Sequence, residues 1–149
     1  MVLQGNMNYN IRAFVNYNGT GFVQERGVMN KKKILIVDDE ADLVNMVKMR
    51  LESDGFGVSI ASNGREAIEK IDADKPDLIL LDVLMPAMDG YTAFQELKKK
   101  ESTRNIPVVV MTAKRGMQEL FEAEGAKDYI KKPFSDKDLL ARIRKVLGL

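Results

Sequence analysis

The sequence predicts an α/β fold, five strand–helix units wound into one parallel sheet, and three observations carry that expectation. Three short runs are almost purely apolar: Ile34-Leu35-Ile36-Val37, Leu78-Ile79-Leu80-Leu81 and Val108-Val109-Val110-Met111. Such runs suit strands covered on both faces. Between them lie segments with apolar residues at helical spacing, and strands alternating with helices imply crossover connections and parallel pairing.

The elements follow in order from Lys33. The first apolar run leads into residues 40–54, where Leu43, Met46, Val47 and Leu51 are placed on one helical stripe. Gly55 ends that helix, and Val58-Ser59-Ile60-Ala61 alternates like an edge strand. A short helix with Ala67, Ile68 and Ile71 inward follows, then Pro76-Asp77 leads into the second buried run. Residues 90–101 read as a helix carrying Phe94 and Leu97, and Pro107 introduces the third buried run. A compact helix around Leu120-Phe121 precedes a weak strand, Asp128 to Lys131. Ser135 with Asp138 is a capping-box signature ahead of Leu139, Leu140, Ile143, Val146 and Leu147, an amphipathic helix. Three strong strands and two weak ones put the first, third and fourth at the centre. That is the 2-1-3-4-5 order of a flavodoxin-like, doubly wound (βα)5 sandwich, which takes ligands at the carboxyl ends of its strands.

Composition narrows the chemistry. A chain of 149 residues suits one ordinary domain, and 23 Lys plus Arg against 22 Asp plus Glu give a net charge of +1. That balance makes no general electrostatic case for direct nucleic-acid binding or an anionic membrane. With no Cys and no His there is no disulfide, thiolate metal site, Ser-His-Asp triad or phosphohistidine. No apolar run approaches the ~20 residues that a membrane span needs. No signal-peptide pattern opens the chain, so the expectation is a cytoplasmic protein without membrane insertion.

Composition changes near residue 30. Residues 1–30 carry only Arg12, Glu25 and Arg26 as charges, with six Asn and four Gly, and are expected to form a flexible N-terminal extension with an extended piece at Ile11–Tyr17. Gly19-Thr20-Gly21 reads as a turn, and Met29 as the start of a shorter natural protein lacking residues 1–28. Residues 31–149 form the domain proper.

The carboxyl ends of the strands give the candidate site: Asp38-Asp39 after the first, Asp82 after the third, Thr112 closing the fourth, and Lys132-Pro133 after the fifth. Three crowded carboxylates repel one another and call for a cation. Oxygen ligands without His or Cys favour a hard ion such as Mg²⁺. A carboxylate there can attack phosphorus, while an ammonium and a hydroxyl stabilise phosphoryl oxygens. Each element has a plainer counterpart. Asp39 with Asp42 can cap the first helix, Thr112 is a good strand residue, and Lys132-Pro133 suits a solvated turn. Their joint placement on one sheet edge carries the argument.

The pieces Ile34-Leu35-Ile36-Val37-Asp38-Asp39-Glu40, Asp82-Val83-Leu84-Met85-Pro86 with Asp89-Gly90, Met111-Thr112-Ala113-Lys114, and Gly125-Ala126-Lys127-Asp128-Tyr129-Ile130-Lys131-Lys132-Pro133-Phe134 make the region from Lys33 to Leu149 resemble the receiver domain of bacterial two-component response regulators. The resemblance is to a single-domain, chemotaxis-regulator-like receiver, with the 30-residue extension too small for an output module. It implies that Asp82 is the phosphoacceptor, that Asp38, Asp39, Asp82 and the Leu84 backbone carbonyl hold Mg²⁺, and that Lys132 supplies the ammonium. Thr112 would bind a phosphoryl oxygen and move, with Tyr129 as the coupled aromatic switch, and the peptide before Pro133 would be cis. It further implies a signalling domain rather than an enzyme, a histidine kinase or histidine phosphotransfer protein as donor, and a downstream protein as target. Thr112 and Lys132 lie 20 positions apart, slightly less than the family pattern, and the missing length falls around the fourth helix.

Three other functions are weighed. A haloacid-dehalogenase-like phosphatase wants an Asp two residues beyond its nucleophile, where this chain has Glu40 after Asp38 and Leu84 after Asp82. A flavodoxin-like nucleotide module needs phosphate-cradling amides after the first strand, where Asp38-Asp39-Glu40 would repel phosphate. A degenerate receiver acting only through contacts would have lost a pocket residue, and none is lost.

Overall fold

The computed structural model describes residues 14–15, 22–23, 30–85 and 89–149. The chain divides into two units, Met1–Lys31 and Lys32–Leu149. In the first, the two-residue strands Phe14–Val15 and Phe22–Val23 pair antiparallel, Phe14 opposite Val23 and Val15 opposite Phe22. The former lies within the extended piece expected at residues 11–17. The expectations of a flexible extension, and of a natural start at Met29, otherwise fall outside the described residues.

The second unit runs β1 (Lys33–Val37), α1 (Ala41–Ser53), β2 (Gly57–Ala61), α2 (Gly64–Asp74), β3 (Leu78–Leu81), α3 (Gly90–Lys99), β4 (Val108–Thr112), α4 (Gln118–Ala123), β5 (Asp128–Lys131) and α5 (Asp136–Leu147). All five strands are parallel in the order β2-β1-β3-β4-β5, the predicted flavodoxin-like (βα)5 arrangement. Strand alternation divides β1 between two cores. Ile34 and Ile36 pack with Val47 and Leu51 of α1 and Leu139 and Ile143 of α5. Leu35 and Val37 pack with Ala67 and Ile71 of α2, Phe94 of α3 and Phe121 of α4.

The helix termini follow local chemistry. Asn63, Asp89 and Ser135 each accept the backbone N–H three residues on, at 2.9, 2.8 and 3.1 Å, so the Ser135–Asp138 signature is borne out. The first helix corrects the sequence reading twice. Its buried stripe is Val44, Val47 and Leu51, whereas Met46 is 55% exposed. Counting from Val44 at about 100° per residue, Met46 falls on the far side of the helix. Its N-cap is Glu40 with no side-chain cap bond, so the Asp39–Asp42 cap does not form. The third helix stops two residues early, where Lys100 turns extended. Thr103 then anchors the exit, its buried hydroxyl donating to the Leu97 carbonyl at 2.7 Å.

At the start of α2 the Glu66 carboxylate accepts the Ser62 N–H (2.8 Å) and hydroxyl (2.7 Å) and pairs with Lys70 at 2.9 Å. The Ser62 N–H, then Lys70 and the Ser62 hydroxyl, hold its pKa down to about 2 from the ordinary 4.5. A folded-state value below the unfolded one stabilises above about 4.5, and the gain is lost as pH falls toward about 2. Glu66→Gln is therefore expected to cost about 0.5 kcal/mol near neutral pH, modest because the group is partly exposed. The cost should vanish at the acid end of a urea-denaturation series, whereas a pH-independent cost would assign it to packing.

Candidate functional site

Register assembles the site. Val37 of β1 pairs with Leu81 of β3, so the residues that follow, Asp38 and Asp82, emerge side by side. Asp82 N–H donates to the Val37 carbonyl at 2.9 Å and Asp38 N–H to the Ala61 carbonyl at 3.1 Å, which continues the ladder past the strand ends. Asp38, Asp82 and Thr112 are buried, and Asp39 is exposed. Carboxylate oxygens of Asp38, Asp39 and Asp82 lie within 4.8 Å of one another. The ends of β1 and β3 therefore meet in one acidic cluster.

Lys132 reaches this cluster from beyond β5. Its backbone N–H is held by the Thr112 carbonyl at 3.0 Å, and the Lys132-Pro133 peptide is cis as expected. Its ammonium contacts Asp38 Oδ2 at 2.6 Å, Glu40 Oε1 at 3.2 Å and Asp82 Oδ2 at 3.3 Å. Burial pushes the Asp38 carboxyl above its ordinary pKa, against the pull of the Lys132 and Glu40 hydrogen bonds. Burial likewise opposes charge on Lys132, but the hydrogen bond and charge of Asp38, with the charge of Asp82 and the hydrogen bond of Glu40, outweigh it and raise its pKa. Lys132 is thus a charged ammonium facing more carboxylates than it can neutralise. The remaining negative charge on an all-oxygen, His-free and Cys-free set fits a hard divalent cation. Leu84 lies at the edge, its N–H 3.3 Å from Asp82 Oδ1.

Two features were not read from the sequence. The first is the Lys114 peptide, shared by two predicted residues. Thr112 Oγ1 accepts the Lys114 N–H at 3.2 Å, and the Tyr129 hydroxyl donates to the Lys114 carbonyl at 2.6 Å. The Tyr129 ring is buried in the core with Phe121 rather than set at an edge in water. The phenol pKa is raised by that burial and by the Asp82 charge. The second is Gly90, whose N–H donates to the Val83 carbonyl at 2.9 Å. A Cβ there would stand 2.0 Å from the Asp82 carbonyl oxygen and 2.7 Å from Val83 Cα. The Asp89-Gly90 pair at a helix start was the available signal. Behind it, Tyr91 and Phe94 of α3 meet the Phe121 ring edge-on at 5.6 and 5.3 Å, and the Tyr91 hydroxyl donates to Glu124 Oε1 at 2.7 Å, tying α4 to α3.

Comparison with known proteins agrees with this geometry. The family model described as the response regulator receiver domain matches residues 34–144. A probable transcriptional regulator, ycf27, of Cyanophora paradoxa is 42% identical over 121 residues, covering 80% of this chain and 49% of the relative. The chain thus spans about half the length of the curated relatives it matches. Among solved structures, a putative response regulator from Chloroflexus aurantiacus is 31% identical at a TM-score of 0.75, covering 80% of this chain and 99% of that one. The receiver domain of a sensor histidine kinase from Pseudomonas aeruginosa PAO1, solved with a magnesium ion coordinated in its active-site cleft, is 29% identical at a TM-score of 0.73, covering 80% and 99%. Among the described residues no helix is long and apolar enough to cross a membrane.

Gly90→Ala is expected to destabilise the fold by about 3 kcal/mol, because the clash is with backbone that cannot yield as a side chain would. It should also shift the Asp82 and Val83 amide resonances. An alanine variant with wild-type stability would show that the α3 start can move away from β3.

Proposed function

This chain belongs to the response regulator receiver domain family, and we propose that it takes a phosphoryl group on Asp82 from a histidine kinase or histidine phosphotransfer protein. Receiver domains are signalling domains of two-component systems, and residues 31–149 are proposed as that unit here, with residues 1–30 as an extension. The single observation that carries the reading is Asp82 itself, a nearly buried carboxylate beside the Lys132 ammonium and the Asp38–Asp39 pair.

The chemistry follows from the groups present. An Asp82 oxygen attacks phosphorus as the bond from phosphorus to the donor imidazole nitrogen breaks, and that nitrogen leaves with the electron pair. The product is an acyl phosphate on Asp82. The donor imidazole lies outside these 149 residues, which contain no His. Lys132 donates to the transferred oxygens and opposes their charge. Asp38, Asp39, Asp82 and the Leu84 carbonyl would hold Mg²⁺, which when bound neutralises carboxylate and phosphoryl charge together.

The signal is proposed to leave through the Lys114 peptide. A phosphoryl oxygen recruits the Thr112 hydroxyl away from the Lys114 N–H, and the Tyr129 phenol responds because it holds the carbonyl of the same residue. Packed cores switch between discrete arrangements, so the expected output is a rearranged α4–β5 surface read by a downstream protein. The balanced net charge of +1 supports a protein rather than nucleic acid as the direct partner of this domain.

Asp82→Ala is expected to remove all Mg²⁺-dependent, base-labile phosphorylation while leaving the melting curve cooperative; a labelled mutant would place the acceptor elsewhere. Thr112→Ala should still accept phosphate, but amides of residues 115–131 should then respond weakly to a phosphoryl mimic. If those amides stay unmoved in the wild type while the Asp82 pocket responds, the route through Lys114 is wrong.

A further inference from the structure

We propose that Glu40 occupies the N–H of Lys132 that a phosphoryl group on Asp82 takes over, and that its carboxylate thereby limits how tightly the phosphorylated state is held. The inference rests on Asp82 as phosphoacceptor and adds a positioning residue to that site.

An ammonium has three N–H donors. In this structure three carboxylates surround Lys132: Asp38 at 2.6 Å, Glu40 at 3.2 Å and Asp82 at 3.3 Å. They are not equally held. The Asp38 and Asp82 side chains are 0% and 6% exposed, and each keeps its other oxygen on a backbone N–H, of Glu40 and Leu84 respectively. The Glu40 side chain is 64% exposed and makes no cap bond to the helix it begins, leaving the long contact to Lys132 as its one side-chain bond among the described residues. It is therefore the partner that yields when anionic oxygens arrive on Asp82.

Two consequences oppose phosphoryl binding. Lys132 must exchange the Glu40 oxygen for a phosphoryl oxygen, so part of the new contact is offset by the old one. The released carboxylate remains tethered beside the incoming charge and repels it. Removing that charge leaves intact both the Glu40 N–H bond to Asp38 and the first helical bond, from the Val44 N–H to the Glu40 carbonyl at 2.9 Å. The fold is therefore expected to be indifferent to the change.

The test compares the wild-type chain with Glu40→Gln and Glu40→Ala for binding of the beryllium trifluoride anion, followed by fluorine and amide NMR. Each protein is first titrated with Mg²⁺ alone, so that the anion titrations run at Mg²⁺ saturation. Both variants should bind the anion about threefold to tenfold more tightly, with unchanged melting temperature, as expected for one screened charge. The gap should narrow in about 1 M salt, a response that a merely structural role does not give. Equal or weaker binding by the variants, opposite effects of the two substitutions, or a gap indifferent to salt would overturn the role of Glu40. Failure of the wild type to take up the anion at all would instead overturn the phosphoacceptor reading, and this inference with it.

Discussion

The level pairing of β1 with β3 is the constraint on which the rest of the site depends. Because Val37 and Leu81 are register partners, the next residue of each strand is delivered to the same place, and both are aspartates. Two nearly buried carboxylates side by side repel each other at a cost in free energy. The Lys132 ammonium, brought across from β5 and held against Asp38 and Asp82, compensates part of that cost. The exposed Asp39 completes an acidic cluster that still carries excess negative charge. The arrangement stores electrostatic repulsion where it can favour a cation, and the sheet, not the loops, sets its geometry.

The same sheet edge links Thr112 to Tyr129. Thr112 and Tyr129 lie on neighbouring strands and do not need to touch each other, because each holds one end of the Lys114 residue. One backbone residue thus joins the two side chains, through its N–H and its carbonyl. The helix that follows is short, and Phe121 is its only buried residue, seated against Phe94 and Tyr91. A helix held by one aromatic anchor and the Tyr91–Glu124 hydrogen bond has few contacts to break if it moves.

Much of this was legible in the sequence, for identifiable reasons. Apolar runs such as Leu78–Leu81 have no reading on a solvated face, so strand order and the position of Asp82 followed from them. The strand-end rule puts Asp38, Asp39, Thr112 and Lys132 on one sheet edge. Met46 was placed on the buried stripe because its type is apolar. The helix phase is set by Val44, Val47 and Leu51, and an exposed Met costs too little to correct the phase. The expected Asp39–Asp42 cap failed because Glu40 takes the cap position and turns its carboxylate toward Lys132. The Lys114 peptide was invisible because its role uses backbone atoms, which every residue has. The close approach at Gly90 depends on how α3 sits against β3, a tertiary fact.

The division of β1 between two cores has an evolutionary consequence. Tyr129, Phe121, Phe94 and Val83 all belong to the layer on one side of the sheet, while α1 and α5 fill the other with Val47, Leu51, Leu139 and Ile143. A single chain therefore carries a tunable layer and a ballast layer, separated by a wall of backbone hydrogen bonds. Substitutions confined to the α1–α5 side change stability without touching the cluster that holds Tyr129 and Phe121. Stability gained on that face can offset what substitutions on the other face cost.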